Sequence, residues 1–538
     1  MSLSERIFNY LERRWRLVLI MLFTVNWLLR WWVIYNSRLH ILLVDAYAYL
    51  LKALEITKGD FSPIATHALG WPLFLAPFLY LLQEPSIFVN MVWVSLISTT
   101  LGALAIFPLA YLGRKILNRE GLIILLFIFT FADGLNKYLL PGFSEPLFTI
   151  LFLGSLAFLL RSQEDQKFIL PAALLAGLVY WVKPSGLILL PILLAAFWWL
   201  NKDKLNFSYR LPIFAVIVFF LISLPFLYQR FLYFGSPFFY GENSRYFAED
   251  YQQVWGKEYT SSPATTDFIN RFLINGLGLI LVAFFWFYLP PLLWPFLLYG
   301  LISSRADPQK KLFDVLLITV VIWVLILMPI FKGFGMPRHL YAIASLLFII
   351  VAQGTTEIFR NFPKRKLALS LFLLTLITFS LAATVYYVKY DMLIFVREKA
   401  LSENFKIASQ FVFNLKGRAA TDVDITQLMT YLPDTRVGGA GLLDLYAPVS
   451  GLSIVYPGYF EKSEDLIRAL KRQKVDYLIL TDNVLNQSPW SWINLRIYGG
   501  QPATLDQPPF QEIYSNYQTN RQWQVRLFKI DWGLTAKD

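Results

Sequence analysis

Two carboxylates lie where long apolar runs meet polar chain: Asp45 in VDAYAYL, after the first run, and Glu145 in PGFSEPLF, at the head of a later one. A carboxylate near the edge of a hydrocarbon layer is costly, so each calls for a physical reason. One such reason is chemistry, because a carboxylate within reach of a hydroxyl can take its proton as a general base. Cations accompany the acids. Lys183 sits in VKPSG, a turn that opens another apolar run, and Lys332, Arg338 and His339 fall together in FKGFGMPRHLY. An ammonium beside the free N–H groups of a helix start makes a phosphate cradle, and a guanidinium grips phosphate through paired hydrogen bonds. Acids and cations gathered on one membrane face suggest chemistry on a phosphate-bearing lipid.

Each residue also has a plainer role. Asp45 opens the helix-like stretch DAYAYLLKALEITKGD, and an aspartate at a helix start accepts backbone N–H bonds. Tyr47, Lys52 and Glu55 follow it; Tyr47 and Lys52 are candidates for touching sugar or phosphate, or for anchoring an interfacial helix. His67, in THALGWP, reads first as a polar turn residue and second as a substrate contact, with Gly70 and Pro72 shaping the turn. Glu145, between Ser144 and Pro146, suits a helix N-terminus, where the dipole favours an acid and the first turn favours proline. That role leaves unexplained why Asp133, Lys137 and Glu145 crowd one end of two adjacent apolar runs; a water-accessible polar cavity explains it. Lys183 alone could be a snorkelling interfacial lysine.

The elements that must position these residues are membrane helices. The chain has 538 residues, 57% hydrophobic and 16% charged, against about 25% charged in a soluble domain. Apolar runs of about twenty residues, enough to cross a bilayer as a helix, recur from Trp15 to Val388. They predict about eleven spans, near 15–36, 87–112, 121–140, 146–161, 168–183, 185–200, 211–234, 273–300, 312–331, 338–358 and 367–388. The segment 71–82, WPLFLAPFLYLL, is too short and too proline-broken to cross, and reads as a helix lying in the interface.

Basic residues cluster at Arg6, Arg13, Arg14 and Arg16; Arg114, Lys115 and Arg119; Arg161 and Lys167; Lys202, Lys204 and Arg210; Arg305, Lys310 and Lys311; and Arg360, Lys364, Arg365 and Lys366. This span layout puts all six clusters on one face, the cytoplasmic one by the positive-inside rule. Counting 71–82 as a crossing would break the alternation. The expectation is an integral protein of the plasma (inner) membrane with a cytoplasmic N-terminus and a retained first span. Its outer loops fall at 37–86, 133–145, 181–186, 235–272 and 331–340.

Residues 1–388 form the membrane domain. Residues 389–538 have ordinary charge density and no spanning run, and are expected to form a small extracytoplasmic α/β domain. FKIASQFVFNL reads as a helix, KVDYLILTD and QWQVRLFKID as strands, and LIRALKRQKVDYLIL as a helix followed by a strand. Of the net charge of +12, +11 belongs to the membrane part, with 31 basic against 20 acidic residues, and +1 to the remainder, with 17 against 16. It is therefore loop charge that orients helices and no nucleic-acid footprint. No cysteine is present, which removes disulfides and thiolate metal sites. There is no Walker loop, GxGxxG, HExxH or CxxC motif. No cofactor is expected; the outer loops hold no DxD or ExD pair, which weakens the case for a divalent metal, and Asp422-Val423-Asp424 reads as a loop.

Taken in order, these pieces resemble the GT-C fold glycosyltransferases, the group that includes the protein O-mannosyltransferases and the aminoarabinose transferase of lipid A. The motifs are the acid after the first span; the Gly-x-Pro-Leu segment in HALGWPLFLAPF; the Ser-Glu-Pro-Leu step in SEPLFTILF; the Lys-Pro-x-Gly turn in VKPSGLILLP; and the late Arg-His-Leu in PRHLYAIASLLF. They cover residues 15–360. The resemblance implies inverting transfer of a sugar from a polyprenyl-phosphate donor to an acceptor lipid, glycan or protein at the outer membrane face. Asp45 then matches the catalytic base and Glu145 the second acid. Lys183, Arg338, Lys332 and His339 would hold the donor phosphate. The protein O-mannosyltransferases carry an Asp-Glu pair in the first loop, whereas Asp45 is followed by Ala46, which argues against a shared substrate. A transporter or flippase of lipid-linked sugars would also want cations in a membrane cavity, but such proteins often show internal repeats, and none is evident here. A non-catalytic assembly subunit is the third reading.

Overall fold

The computed structural model describes residues 3–37, 44–61, 68–82, 87–132, 142–234, 289–303, 307–331, 340–360, 362–390, 417–421, 452–455, 475–481, 509–515 and 525–534, with a few isolated positions between them. Its first part is helical. A short basic helix α1 (Leu3–Arg13) turns into α2 (Trp15–Ser37). Two helices follow in the first outer-loop segment, α3 (Val44–Thr57) and α4 (Gly70–Leu82), and they pack on each other. Next come α5 (Ile87–Leu104) with α6 (Ile106–Ile116), α7 (Arg119–Phe131), α8 (Glu145–Arg161), α9 (Ile169–Val182), α10 (Leu189–Asn201) and α11 (Arg210–Phe234). The series continues with α12 (Trp294–Ile302), α13 (Asp307–Phe331), α14 (Tyr341–Arg360) and α15 (Arg365–Tyr390).

Among the described residues, six stretches are long and apolar enough to cross a membrane: Trp15–Tyr35, Val92–Ile116, Pro184–Asn201, Arg210–Leu232, Tyr341–Arg360 and Arg365–Tyr386. Helices also occupy the described parts of the other runs expected from the sequence. Helix α4 has 13 residues with Pro77 inside it. At about 1.5 Å per residue it falls short of a bilayer core, as its sequence suggested.

The helix bundle is stitched at one end by polar contacts. Lys115 pairs with Glu164, and Lys204 donates to the carbonyl of Gln163. Lys311 meets Asp203 at 2.8 Å and Arg365 meets Glu120 at 2.7 Å. Lys366 bonds Asn9, and the Arg114 guanidinium lies 5.5 Å from the centre of the Trp15 ring. These contacts tie together loops from all six basic clusters. The Lys311 and Lys115 ammoniums hold the carboxyls of Asp203 and Glu164 below the usual carboxylate range, through a hydrogen bond first and through charge second. Stability from such groups is present at neutral pH and is lost as acidification passes through their lowered values. Because both pairs are exposed, thermal unfolding should stay nearly flat from pH 8 to 5 and decline only below the ordinary carboxylate range.

Helix α14 is the centre of the bundle, with every residue from Tyr341 to Ala352 buried. It meets α12 backbone to backbone. A Cβ on Gly354 would lie 1.9 Å from the Phe296 carbonyl oxygen, and one on Gly300 would lie 2.1 Å from that of Ile350. Small residues let membrane helices approach this closely, and dispersion then does the work that water does elsewhere. Gly354→Val should force the pair apart at a cost of about 3 kcal/mol, read as a clear drop in thermal unfolding temperature in detergent. An unchanged midpoint would show that the contact is not tight.

In the C-terminal part, five strands form a mixed sheet: β1 (Gly417–Thr421), β2 (Leu452–Val455), β3 (Tyr477–Thr481), β4 (Phe510–Ser515) and β5 (Val525–Ile530), in the order β2-β1-β3-β5-β4. β1 runs parallel to β2 and β3, while β5 runs antiparallel to β3 and β4. The register sets Leu478 opposite Phe528, both fully buried. Strands β3 and β5 fall on KVDYLILTD and QWQVRLFKID, which the sequence reads as strands. FKIASQFVFNL and the Asp422–Asp424 pair lie outside the described residues.

Candidate functional site

Helix α8 runs from Glu145 to Arg161, and Arg161 belongs to the basic end, so Glu145 lies at the opposite end. The sequence places it there by ordinary helix chemistry: Pro146 occupies the first turn and Glu145 meets the positive pole of the helix. Helix α9 reaches the same end at Val182. Lys183 then takes an extended conformation (φ −147°, ψ 129°), and a 3₁₀ turn from Pro184 to Ile188 leads into α10. That break in the helix aims Lys183 back at α8.

The two side chains meet. Lys183 Nζ lies 2.8 Å from Glu145 Oε1, with the Glu145 side chain 4% exposed and that of Lys183 16% exposed. An ion pair this buried gains strongly from the low local dielectric but bears a desolvation cost, so it is poor as a mere stabiliser. Its floor is aromatic. The ammonium is 5.9 Å from the Phe148 ring centre, and Phe148 and Phe152 both pack against Trp323 of α13. The hydroxyls of Ser144 and Thr149, buried beside the pair on α8, have no hydrogen-bond partner among the described residues.

Helix α3 starts at Val44, so Asp45 stands in its first turn, as its sequence context suggested; Tyr47 is one residue further than the next. The backbone of both is described and their side chains are not. Lys52, expected as a substrate contact or an interfacial anchor, is drawn into the protein. It is 2% exposed and turned inward, 2.7 Å from Glu55 and 3.5 Å from Asp60, so its charge closes the end of α3. His67, Lys332, Arg338 and His339 lie outside the described residues, as do Asp133 and Lys137. Among the described residues, no group of three or more His, Asp or Glu is placed to hold a metal.

The structure adds a polar cluster not singled out from the sequence. Arg30 of α2 is buried and donates to Asn26 Oδ1 at 2.5 Å and to the Tyr341 hydroxyl at 3.5 Å. Tyr341 donates in turn to the Gly102 carbonyl at 3.3 Å. A Cβ at Gly102 would sit 2.9 Å from Arg30 Nη1, so glycine makes room for the guanidinium. The signal was available in the sequence: two polar residues spaced i, i+4 inside an apolar span share one helix face.

No protein-family model and no curated protein matches the sequence. Solved structures do match. ArnT from Cupriavidus metallidurans in the apo state aligns with a TM-score of 0.56 at 14% identity, over 94% of this chain and 97% of that one. The Archaeoglobus fulgidus oligosaccharyltransferase, in complex with Zn and sulfate, aligns with a TM-score of 0.55 at 15% identity, over 86% of this chain and 67% of that one. The same organism's oligosaccharyltransferase AglB, bound to an inhibitory peptide and a dolichol-phosphate, gives 0.54 at 12% identity, over 88% and 70%. These are GT-C fold membrane glycosyltransferases, and this chain has the GT-C fold. The order of acid, Gly-x-Pro-Leu, Ser-Glu-Pro-Leu and Lys-Pro-x-Gly motifs thus pointed to the right fold without detectable sequence kinship.

Proposed function

We propose that this protein is an inverting glycosyltransferase that moves a sugar from a polyprenyl-phosphate donor to an acceptor hydroxyl at the outer face of the membrane. The observation that supports this best is the buried Glu145–Lys183 pair, set at the end of a GT-C bundle away from its basic loops. The helix that carries Asp45 enters the fold through α4, which packs at that same end. In this reading the bundle has about eleven crossings, the basic end is cytoplasmic by the positive-inside rule, and residues 389–538 form an extracytoplasmic domain. The membrane is the plasma (inner) membrane.

The reaction follows from the groups. Asp45 accepts the proton of the incoming hydroxyl. The hydroxyl oxygen forms a bond to the anomeric carbon as the bond from that carbon to the phosphate oxygen breaks, and the electron pair leaves with polyprenyl phosphate. Negative charge grows on that phosphate, so cations near it lower the barrier. Lys183 is the first of them, with Arg338, Lys332 and His339 from the segment before α14. Glu145 holds Lys183 in place and keeps the empty site neutral, and the donor phosphate then competes for the same ammonium. Tyr47 and His67 contact the substrate. The acceptor is a lipid, a glycan or a protein.

A transporter of lipid-linked sugars would need charges near the midplane for alternating access. Here the Glu145–Lys183 pair sits at one end, which favours an enzyme. The test is release of polyprenyl phosphate from a panel of polyprenyl-phosphate sugars by the purified protein, with Asp45→Asn in parallel. Donor binding without release, unchanged by acceptors and by the substitution, would favour the transporter or a non-catalytic assembly subunit.

A further inference from the structure

The first two residues of α4 touch the chain just ahead of both members of the ion pair. Trp71, fully buried, donates its indole N–H to the carbonyl of Gly142 at 2.8 Å, three residues before Glu145. Gly142 has φ +83°, so this carbonyl belongs to a turn that glycine makes possible. The next carbonyl, that of Phe143, accepts a bond from Ser98 Oγ of α5 at 3.2 Å. On the other side, Gly70 rests on the Trp181–Val182 peptide, one residue ahead of Lys183. A Cβ on Gly70 would lie 2.5 Å from the Trp181 carbonyl carbon, 2.6 Å from its oxygen and 2.7 Å from the Val182 nitrogen. Trp181 is fixed from behind, its indole N–H donating to the Ile222 carbonyl at 2.7 Å. The Trp71 ring is held in turn by Phe74, stacked at 5.7 Å.

We infer that Gly70 and Trp71 form a bracket that sets the separation of Glu145 and Lys183, with Trp71 a positioning residue for the donor site and not a substrate contact. The inference rests on the reading of Lys183 as a donor-phosphate ligand. Helix α3, with Asp45 in its first turn, packs on α4, so one bracket aligns the base with the pair. Geometry of this kind matters because a displacement of about 1 Å at reacting groups can cost on the order of a hundredfold.

The experiment uses the full chain in lipid nanodiscs, with Trp71→Phe and Gly70→Ala. Phenylalanine keeps an aromatic ring but removes the N–H donor and the second ring of the indole; alanine adds only the Cβ that meets the Trp181 peptide. Each should raise the KM for the donor about tenfold, Trp71→Phe through one lost buried hydrogen bond and Gly70→Ala through displacement of the Trp181 peptide, while the acceptor KM stays unchanged. A second arm needs no turnover. The chain has no cysteine, so Glu145→Cys with Lys183→Cys introduces the only thiol pair, and its cross-linking by a short bis-maleimide reports their separation. Cross-link yield should fall at least threefold when Trp71→Phe or Gly70→Ala is added. Unchanged yield and unchanged donor KM in both variants would overturn the bracket and leave Trp71 a packing residue. If no donor supports release at all, the transferase reading fails, and the cross-link yield still decides the bracket.

Discussion

Asp45→Asn should cut polyprenyl phosphate release about a hundredfold to ten-thousandfold, the usual contribution of a positioned general base, with the protein still folded. Asparagine has nearly the same shape and can still accept a backbone N–H bond at the start of α3, so a pure helix-cap role would survive the change. It cannot take the acceptor's proton. The measurement is single-turnover release with a matched donor, alongside thermal unfolding. Release within a few-fold of the unsubstituted protein would dismiss Asp45 as the base. Loss of release together with a lower unfolding temperature would show that the carboxylate's charge supports the start of α3 through the helix dipole.

Lys183→Met carries the second large effect, and it acts on two links at once. Donor affinity should drop about 10- to 100-fold, because a charged hydrogen bond to phosphate is lost. Stability should drop as well, because the Glu145 carboxylate, 4% exposed, loses the ammonium 2.8 Å away. Removing one partner of a buried pair costs about 3–5 kcal/mol. The double variant Lys183→Met, Glu145→Gln separates the two. It should recover most of the unfolding temperature, since no buried charge remains unmatched, and should leave donor binding weak. If the double variant also recovers donor binding, Lys183 is a partner of Glu145 alone and the phosphate is held elsewhere.

The sequence by itself determined the membrane class and which basic loops gather at one end of the helices. Both depend on local quantities, the length of apolar runs and the placement of Lys and Arg, and the contacts of Lys115, Lys311, Arg365 and Lys366 at one end of the bundle agree with that reading. It also located strands β3 and β5, and the helix that begins at Val44 beside Asp45. Tertiary structure decided the pairings. Glu145 and Lys183 are 38 residues apart in the chain, and spacing along a chain cannot show that a broken helix end turns one onto the other. Lys52 read as equally available, yet the fold commits it to Glu55 and Asp60. Arg30 meets Tyr341 across 311 residues. The close seating of Gly70 on Trp181 and of Gly354 on Phe296 exists only once helices cross. Periodicity and charge are properties of a segment in its solvent, whereas ion pairs and backbone contacts are properties of which segments become neighbours.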